Sequence, residues 1–157
     1  MNLLRRAVVF IPAFRESVRF NDDLLRKLDG VTLVQRAIDK ARQLGCSGES
    51  IHLLTDSEDI ALMGKRNNVG GFCRPFLTLA SASVNDEFRH YLQVGEQDRN
   101  ISILLSPYAP LLHIDTIQQA AKVFLQSTDQ ALKPVRLEKR RLFDSNDATL
   151  ESNLLTN

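Results

Sequence analysis

Ala7-Val8-Val9-Phe10-Ile11-Pro12-Ala13-Phe14-Arg15-Glu16-Ser17-Val18-Arg19-Phe20 joins a continuous apolar run to a charged loop. The run from Ala7 to Ile11 is rich in β-branched residues and has no alternating polar positions. It therefore reads as a strand covered on both faces, ended by Pro12. Such strands belong to parallel sheets, so this segment predicts the central strand of an α/β domain. The loop after it lies where nucleotide-handling folds often hold phosphate. Yet the sequence has no glycine between Pro12 and Asp29, and close approach of backbone N–H groups to phosphate oxygens usually uses residues without a Cβ.

The rest of the chain alternates strand and helix. Thr32 is a candidate cap for a helix whose apolar residues Val34, Ala37, Ile38, Ala41 and Leu44 follow helical spacing, with Gly45 just beyond. Ile51 to Thr55 predicts a second strand. Ser57 is a candidate cap for a shorter helix with Glu58 and Asp59 at its positive end, closed by Asn67 to Gly71. A weak strand is expected around Phe72 and Cys73, a helical face over Ser83 to Gln93, and another buried strand over Ile101 to Leu105. After the proline-punctuated loop Ser106 to Pro110, Asp115 opens a helix with Ile117, Ala120, Ala121, Phe124 and Leu125 inward. Alternation of this kind predicts a three-layer, open, mostly parallel sheet with right-handed crossovers, a Rossmann-like arrangement. Its ligand crevice should lie beyond the carboxyl ends of the strands, faced by the loops after Ile11 and Leu105.

With 157 residues, of which 43% are hydrophobic and 25% charged, the chain is long and apolar enough for one domain with a real core. Twenty basic against nineteen acidic residues give a formal charge of +1, so no overall field attracts nucleic acid or a membrane surface. The apolar run near the N-terminus is far shorter than the roughly 20 residues that span a bilayer. Cys46 and Cys73 lack CxxC spacing, and His52, His90 and His113 are far apart, so no structural zinc site is expected. These features fit a cytoplasmic chain with reduced thiols. A final strand is expected within the basic stretch Lys133 to Phe143, and Asp144 to Asn157 reads as a loose polar tail or a short helix that docks on a partner.

Several residues carry alternative readings. Arg15 and Arg19 form either a fork for phosphate or a sugar carboxylate, or a surface pair neutralising Glu16, Asp22 and Asp23. Asp22 and Asp23 are either oxygen ligands for a hard cation or caps of the following Leu24 to Leu28 turn. His113, beside the second loop, is a candidate proton acceptor with no carboxylate partner in its motif. Tyr108 either plugs the crevice or stacks on a base. Neither a Walker A loop nor a GxGxxG turn is present.

The order of landmarks resembles the acylneuraminate cytidylyltransferase family, the CMP-sugar synthetases, in a divergent and shortened form. The matching positions are Ile11-Pro12-Ala13 with Ser17 and Arg19, Thr55-Asp56 followed by Glu58-Asp59-Ile60, Arg74-Pro75 with Leu79-Ala80, and Leu104-Leu105 with Pro107 and Pro110-Leu111. Together they cover roughly residues 7 to 135. The resemblance implies a nucleotide-diphospho-sugar transferase-like α/β domain over 1–143 with a polar tail over 144–157. It implies transfer of CMP from CTP to a sialic-acid-like or ulosonic acid sugar, with magnesium and CTP required for activity. It also implies nucleotide contacts from Ser17, Arg19 and Arg74, with Arg15 as a local substitute.

The family's first loop reads Ile-Pro-Ala-Arg-Gly-Gly-Ser-Lys-Arg with a lysine shortly after, whereas this chain has Phe14, Arg15, Glu16, Val18 and, at the lysine position, Asp23. A triphosphate cradle must balance about four negative charges, so neutral or acidic residues in it reverse the local complementarity. The family's Gln-Pro-Thr-Ser-Pro-Leu-Arg is replaced by Ser106-Pro107-Tyr108-Ala109-Pro110-Leu111-Leu112, which loses most of its polar reading groups. The leading expectation is thus a domain with a degraded CTP site, binding a nucleotide or acidic sugar weakly or working without catalysis. No catalytic residue is assigned. The alternatives are a working CMP-sugar synthetase and an interaction module that uses Arg136 to Arg141 and the tail on a protein partner or on a second copy.

Overall fold

The computed structural model describes residues 4, 7–14, 23–73, 101–128, 131–133, 136–143 and 149–156. The chain divides into two compact units, Met1–Ala121 and Lys122–Asn157. In the first unit the elements are β1 (Ala7–Pro12), β2 (Lys27–Leu28), β3 (Val31–Thr32), α1 (Leu33–Gln43), β4 (Ile51–Thr55), α2 (Glu58–Arg66), β5 (Gly70–Cys73), β6 (Ile101–Leu104) and most of α3 (Ile114–Gln126). The second unit contains β7 (Arg136–Phe143) and β8 (Thr149–Thr156).

Four strands form one sheet in the order β5-β4-β1-β6, all parallel. The apolar run is indeed central. Val9 lies opposite Ile51 on one side and Ile103 on the other, and Ala7, Val9, Phe10 and Ile11 are buried. The order also shows how the chain winds. From β1 the path steps through α1 to β4 and through α2 to β5, always in one direction, and then β6 takes the opposite side of β1. The direction of winding therefore reverses between β1 and β6.

The helix α1 forms for the reasons its sequence suggests. The Thr32 hydroxyl accepts the Gln35 N–H at 3.2 Å, supplying one partner for the unpaired amides of the first turn. Val34, Ala37, Ile38, Ala41 and Leu44 are all buried. Full burial of a side chain such as Ile38 or Leu44 contributes about 1.5–3 kcal/mol. Gly45, with φ +90°, closes the end in a conformation that glycine adopts without strain. The helix α2 comes close to the sheet at Gly64, where a Cβ would lie 3.3 Å from Leu53 Cδ2. The small residue thus sets the spacing between α2 and β4.

Some expectations needed correction. Ser57 occupies the N-cap position of α2 but makes no capping bond. Its N–H is taken by the Thr55 hydroxyl at 3.0 Å, and its own buried hydroxyl has no hydrogen-bond partner. The strand β6 is not buried throughout. Ser102 and Leu104 are exposed because, among the described residues, only β1 pairs with it. Leu125, expected inward on α3, is exposed, whereas Ile117 and Ala121 are buried. The expected helix over Ser83 to Gln93 lies outside the described residues. In the second unit the expected strand is β7. The segment read as a loose tail or docking helix contains β8, paired antiparallel with β7 from Arg136 opposite Thr156 to Phe143 opposite Thr149.

Candidate functional site

At the carboxyl end of β1, Ala13 N–H donates to the Leu54 carbonyl at 2.7 Å, fixing the start of the first loop against β4. At the end of β6, Leu105 N–H donates to the Phe10 carbonyl at 2.8 Å, fixing the start of the second loop against β1. Both loops thus leave the sheet side by side where the winding reverses. In open α/β sheets that reversal is where ligands bind, because adjacent connections diverge and leave a crevice. The two loops expected to face one another thus start from neighbouring strand ends, and residues 15–22 of the first lie outside the described residues.

The first loop is described again from Asp23. Asp23–Leu25 make a single 3-10 turn with Leu24 buried, and Arg26 N–H closes on the Asp23 carbonyl. Then β2 and β3 form a short hairpin around Asp29 and Gly30, with φ of 51° and 79°. Positive φ at both central residues suits an Asp-Gly pair in a two-residue hairpin turn. Sequence reading overlooked this hairpin, although the Asp-Gly pair signals it.

The second loop is held by its own turns. Tyr108 N–H donates to the Ser106 hydroxyl, Ala109 N–H to the Ser106 carbonyl and Leu112 N–H to the Ala109 carbonyl. Pro107 is fully buried and anchors the loop, while Tyr108 and Leu111 are exposed. The Tyr108 hydroxyl donates to Asp23 Oδ1 at 3.0 Å, which joins the two loops directly. Asp23 therefore links two loops, beyond either role read from its sequence. His113 is exposed at the start of α3, and among the described residues no carboxylate pairs with its ring.

The bond has a measurable electrostatic signature. Partial burial, the hydrogen bond to Asp23 and the negative charge of Asp23 push the Tyr108 phenol up from 10.0 to about 12. A phenol whose pKa is higher in the fold than in the unfolded chain stabilises the fold fully below pH 10.0. That contribution declines as pH rises and is lost through about 12. An ultraviolet titration of the phenolate band is expected to show a late step that Tyr108→Phe removes and Asp23→Asn moves to lower pH. A late step that survives Tyr108→Phe would show that the contact with Asp23 is not its source.

The residues singled out for nucleotide contact, Arg15, Ser17, Arg19 and Arg74, lie outside the described residues. Among the described residues, no group of three His, Cys, Asp or Glu side chains is placed to hold a metal ion. No helix among them is long and apolar enough to cross a membrane.

The fold is shared with solved structures of nucleotide-handling enzymes. CMP:2-keto-3-deoxy-manno-octonic acid synthetase, solved in complex with CTP, matches with a TM-score of 0.62 at 20% identity over 83% of this chain. A cytidylyltransferase from Leptospira borgpetersenii serovar Hardjo-bovis (strain JB197) matches with a TM-score of 0.55 at 18% identity over 78% of this chain. This chain has a cytidylyltransferase-like fold. It spans about half the length of these neighbours, 51% of the first and 50% of the second. No protein-family model and no curated protein matches the sequence. The nucleotide-diphospho-sugar transferase-like α/β class expected from the sequence is therefore the observed one.

Proposed function

We propose that this chain is a divergent cytidylyltransferase-like domain that binds a cytidine nucleotide or an acidic sugar weakly and does not carry out efficient nucleotidyl transfer. The observation that carries the reading is the hydrogen bond from Tyr108, in the loop after β6, to Asp23, beside the point where the winding of the sheet reverses. Its position supports ligand binding. The acidic Asp23 disfavours a triphosphate, because a carboxylate opposes phosphate charge where the resemblance expects a lysine. The fold shared with a synthetase solved in complex with CTP supports cytidine over other bases, and fold alone does not carry activity.

The test is calorimetric titration of the full chain with CTP, CMP, ATP and a CMP-sugar, with and without magnesium. Saturable binding selective for cytidine, weaker for CTP than for CMP, is the expected result. Efficient transfer of CMP to a sugar acid would overturn the noncatalytic reading in favour of a working synthetase. Absence of binding at millimolar ligand would overturn the nucleotide reading and favour an interaction module.

A further inference from the structure

The helix α1 carries two cations one turn apart, and each reaches a backbone carbonyl of a different crevice segment. Arg36 donates from Nε to the Leu28 carbonyl at 3.1 Å, and its Nη2 donates to the same oxygen. It also lies 3.6 Å from the Asp29 carboxylate, but Asp29 is 90% exposed, so that ion pair is screened and adds little. Four residues on, Lys40 Nζ donates to the Ala109 carbonyl at 2.9 Å and to the Pro110 carbonyl at 3.1 Å. Arg36 thus holds the hairpin that ends the first segment, and Lys40 holds the loop that follows β6.

We propose that Lys40 is a positioning residue for the crevice: through the Ala109 and Pro110 carbonyls it sets the second loop, and with it the Tyr108 hydroxyl, against Asp23. Two features make the tether effective. The helix α1 is pinned to the sheet by its buried face, so a side chain projecting from it has a fixed origin. Hydrogen bonds from a charged donor are roughly twice as strong as neutral ones, and here one ammonium serves two successive carbonyls. The ammonium is half-buried, and burial followed by the nearby Arg36 charge lowers its pKa from 10.5. The fold keeps it in place despite these opposing effects, with two carbonyl oxygens as its compensation. That its purpose is ligand binding rests on the nucleotide reading above; that it orders the loop does not.

The experiment compares the full chain with Lys40→Met and Lys40→Arg by amide hydrogen exchange, phenolate titration and CTP titration. In Lys40→Met, exchange at Ala109 and Leu112 should speed up about tenfold, the scale of one charge-assisted hydrogen bond. The Tyr108 phenol should also fall from about 12 toward 10.0 as its contact with Asp23 loosens. Lys40→Arg, which retains donors for both carbonyls, should restore both properties. Loop exchange and phenol titration unchanged in Lys40→Met would overturn the proposal. Should Lys40→Met fail to fold, Lys40→Leu, which likewise lacks a donor, provides the same comparison. If the wild-type chain binds no CTP while both loop signatures move, the nucleotide reading fails and the tether stands. If CTP binds equally to all variants and the loop does not change, the tether fails and the nucleotide reading stands.

Discussion

Leu53→Ala is expected to destabilise the first unit by about 2–5 kcal/mol, seen as a lower urea midpoint with an unchanged slope. Leu53 is fully buried in β4, between β1 and β5, and its side chain meets Gly64 of α2. Truncation removes apolar contact and leaves a cavity that a two-sided strand cannot close, since β4 is fixed by ladders on both edges. Leu104→Ala is the comparison. Its side chain is 49% exposed on β6, and the loss should stay within about 1 kcal/mol. Equal losses at the two positions would contradict the strand order β5-β4-β1-β6.

Asp23→Lys is expected to tighten CTP binding at low salt by at least about tenfold, with Asp23→Asn intermediate. At a separation of about 4 Å and an effective dielectric of 20, two like charges oppose each other by about 4 kcal/mol, and every 1.4 kcal/mol is a factor of ten. Even after solvent and side-chain rearrangement relieve most of that repulsion, a substantial gain remains. It should shrink as salt is added, as expected for charges at a solvent-facing mouth. Tyr108→Phe separates charge from geometry, because it removes the hydroxyl bonded to Asp23 and leaves the carboxylate in place. Its effect on CTP should be under about threefold, well below one full hydrogen bond to a charged group. Calorimetry that finds the same CTP affinity for Asp23→Lys and wild type would place Asp23 away from the phosphates.

The parts of this fold legible in the sequence were those set by local periodicity. The buried face of α1, its Thr32 cap and its Gly45 terminus follow from helical spacing and capping chemistry. The central place of Ala7–Pro12 follows from its unbroken apolar run. Properties that depend on distant partners were not legible. Leu104 looks as apolar as Leu54, and among the described residues only their places in the sheet, on a strand paired on one side or on both, distinguish their exposure. The segment Thr149–Thr156 has no sustained period and becomes a strand because β7 supplies its hydrogen bonds.

The same distinction holds for the candidate site. The two crevice loops and Tyr108 were recognisable from strand ends and proline punctuation. The bond between Tyr108 and Asp23 joins residues 85 positions apart, and no local rule pairs them. Lys40 was invisible for a similar reason. In sequence it is one more polar residue on the outer face of an amphipathic helix, and its two carbonyl partners lie 69 and 70 positions away.

The central place of β1 also matters while the chain is being made. Synthesis runs from the N-terminus, so Ala7–Pro12 leaves the ribosome with both of its hydrogen-bonding edges open. One edge waits for Ile51–Thr55 and the other for Ile101–Leu104. During that interval a short, uncharged, β-prone run is available to any other extended chain, the condition in which nascent strands aggregate. The strand that organises the finished sheet thus keeps one edge open to wrong pairing until β6 has been translated.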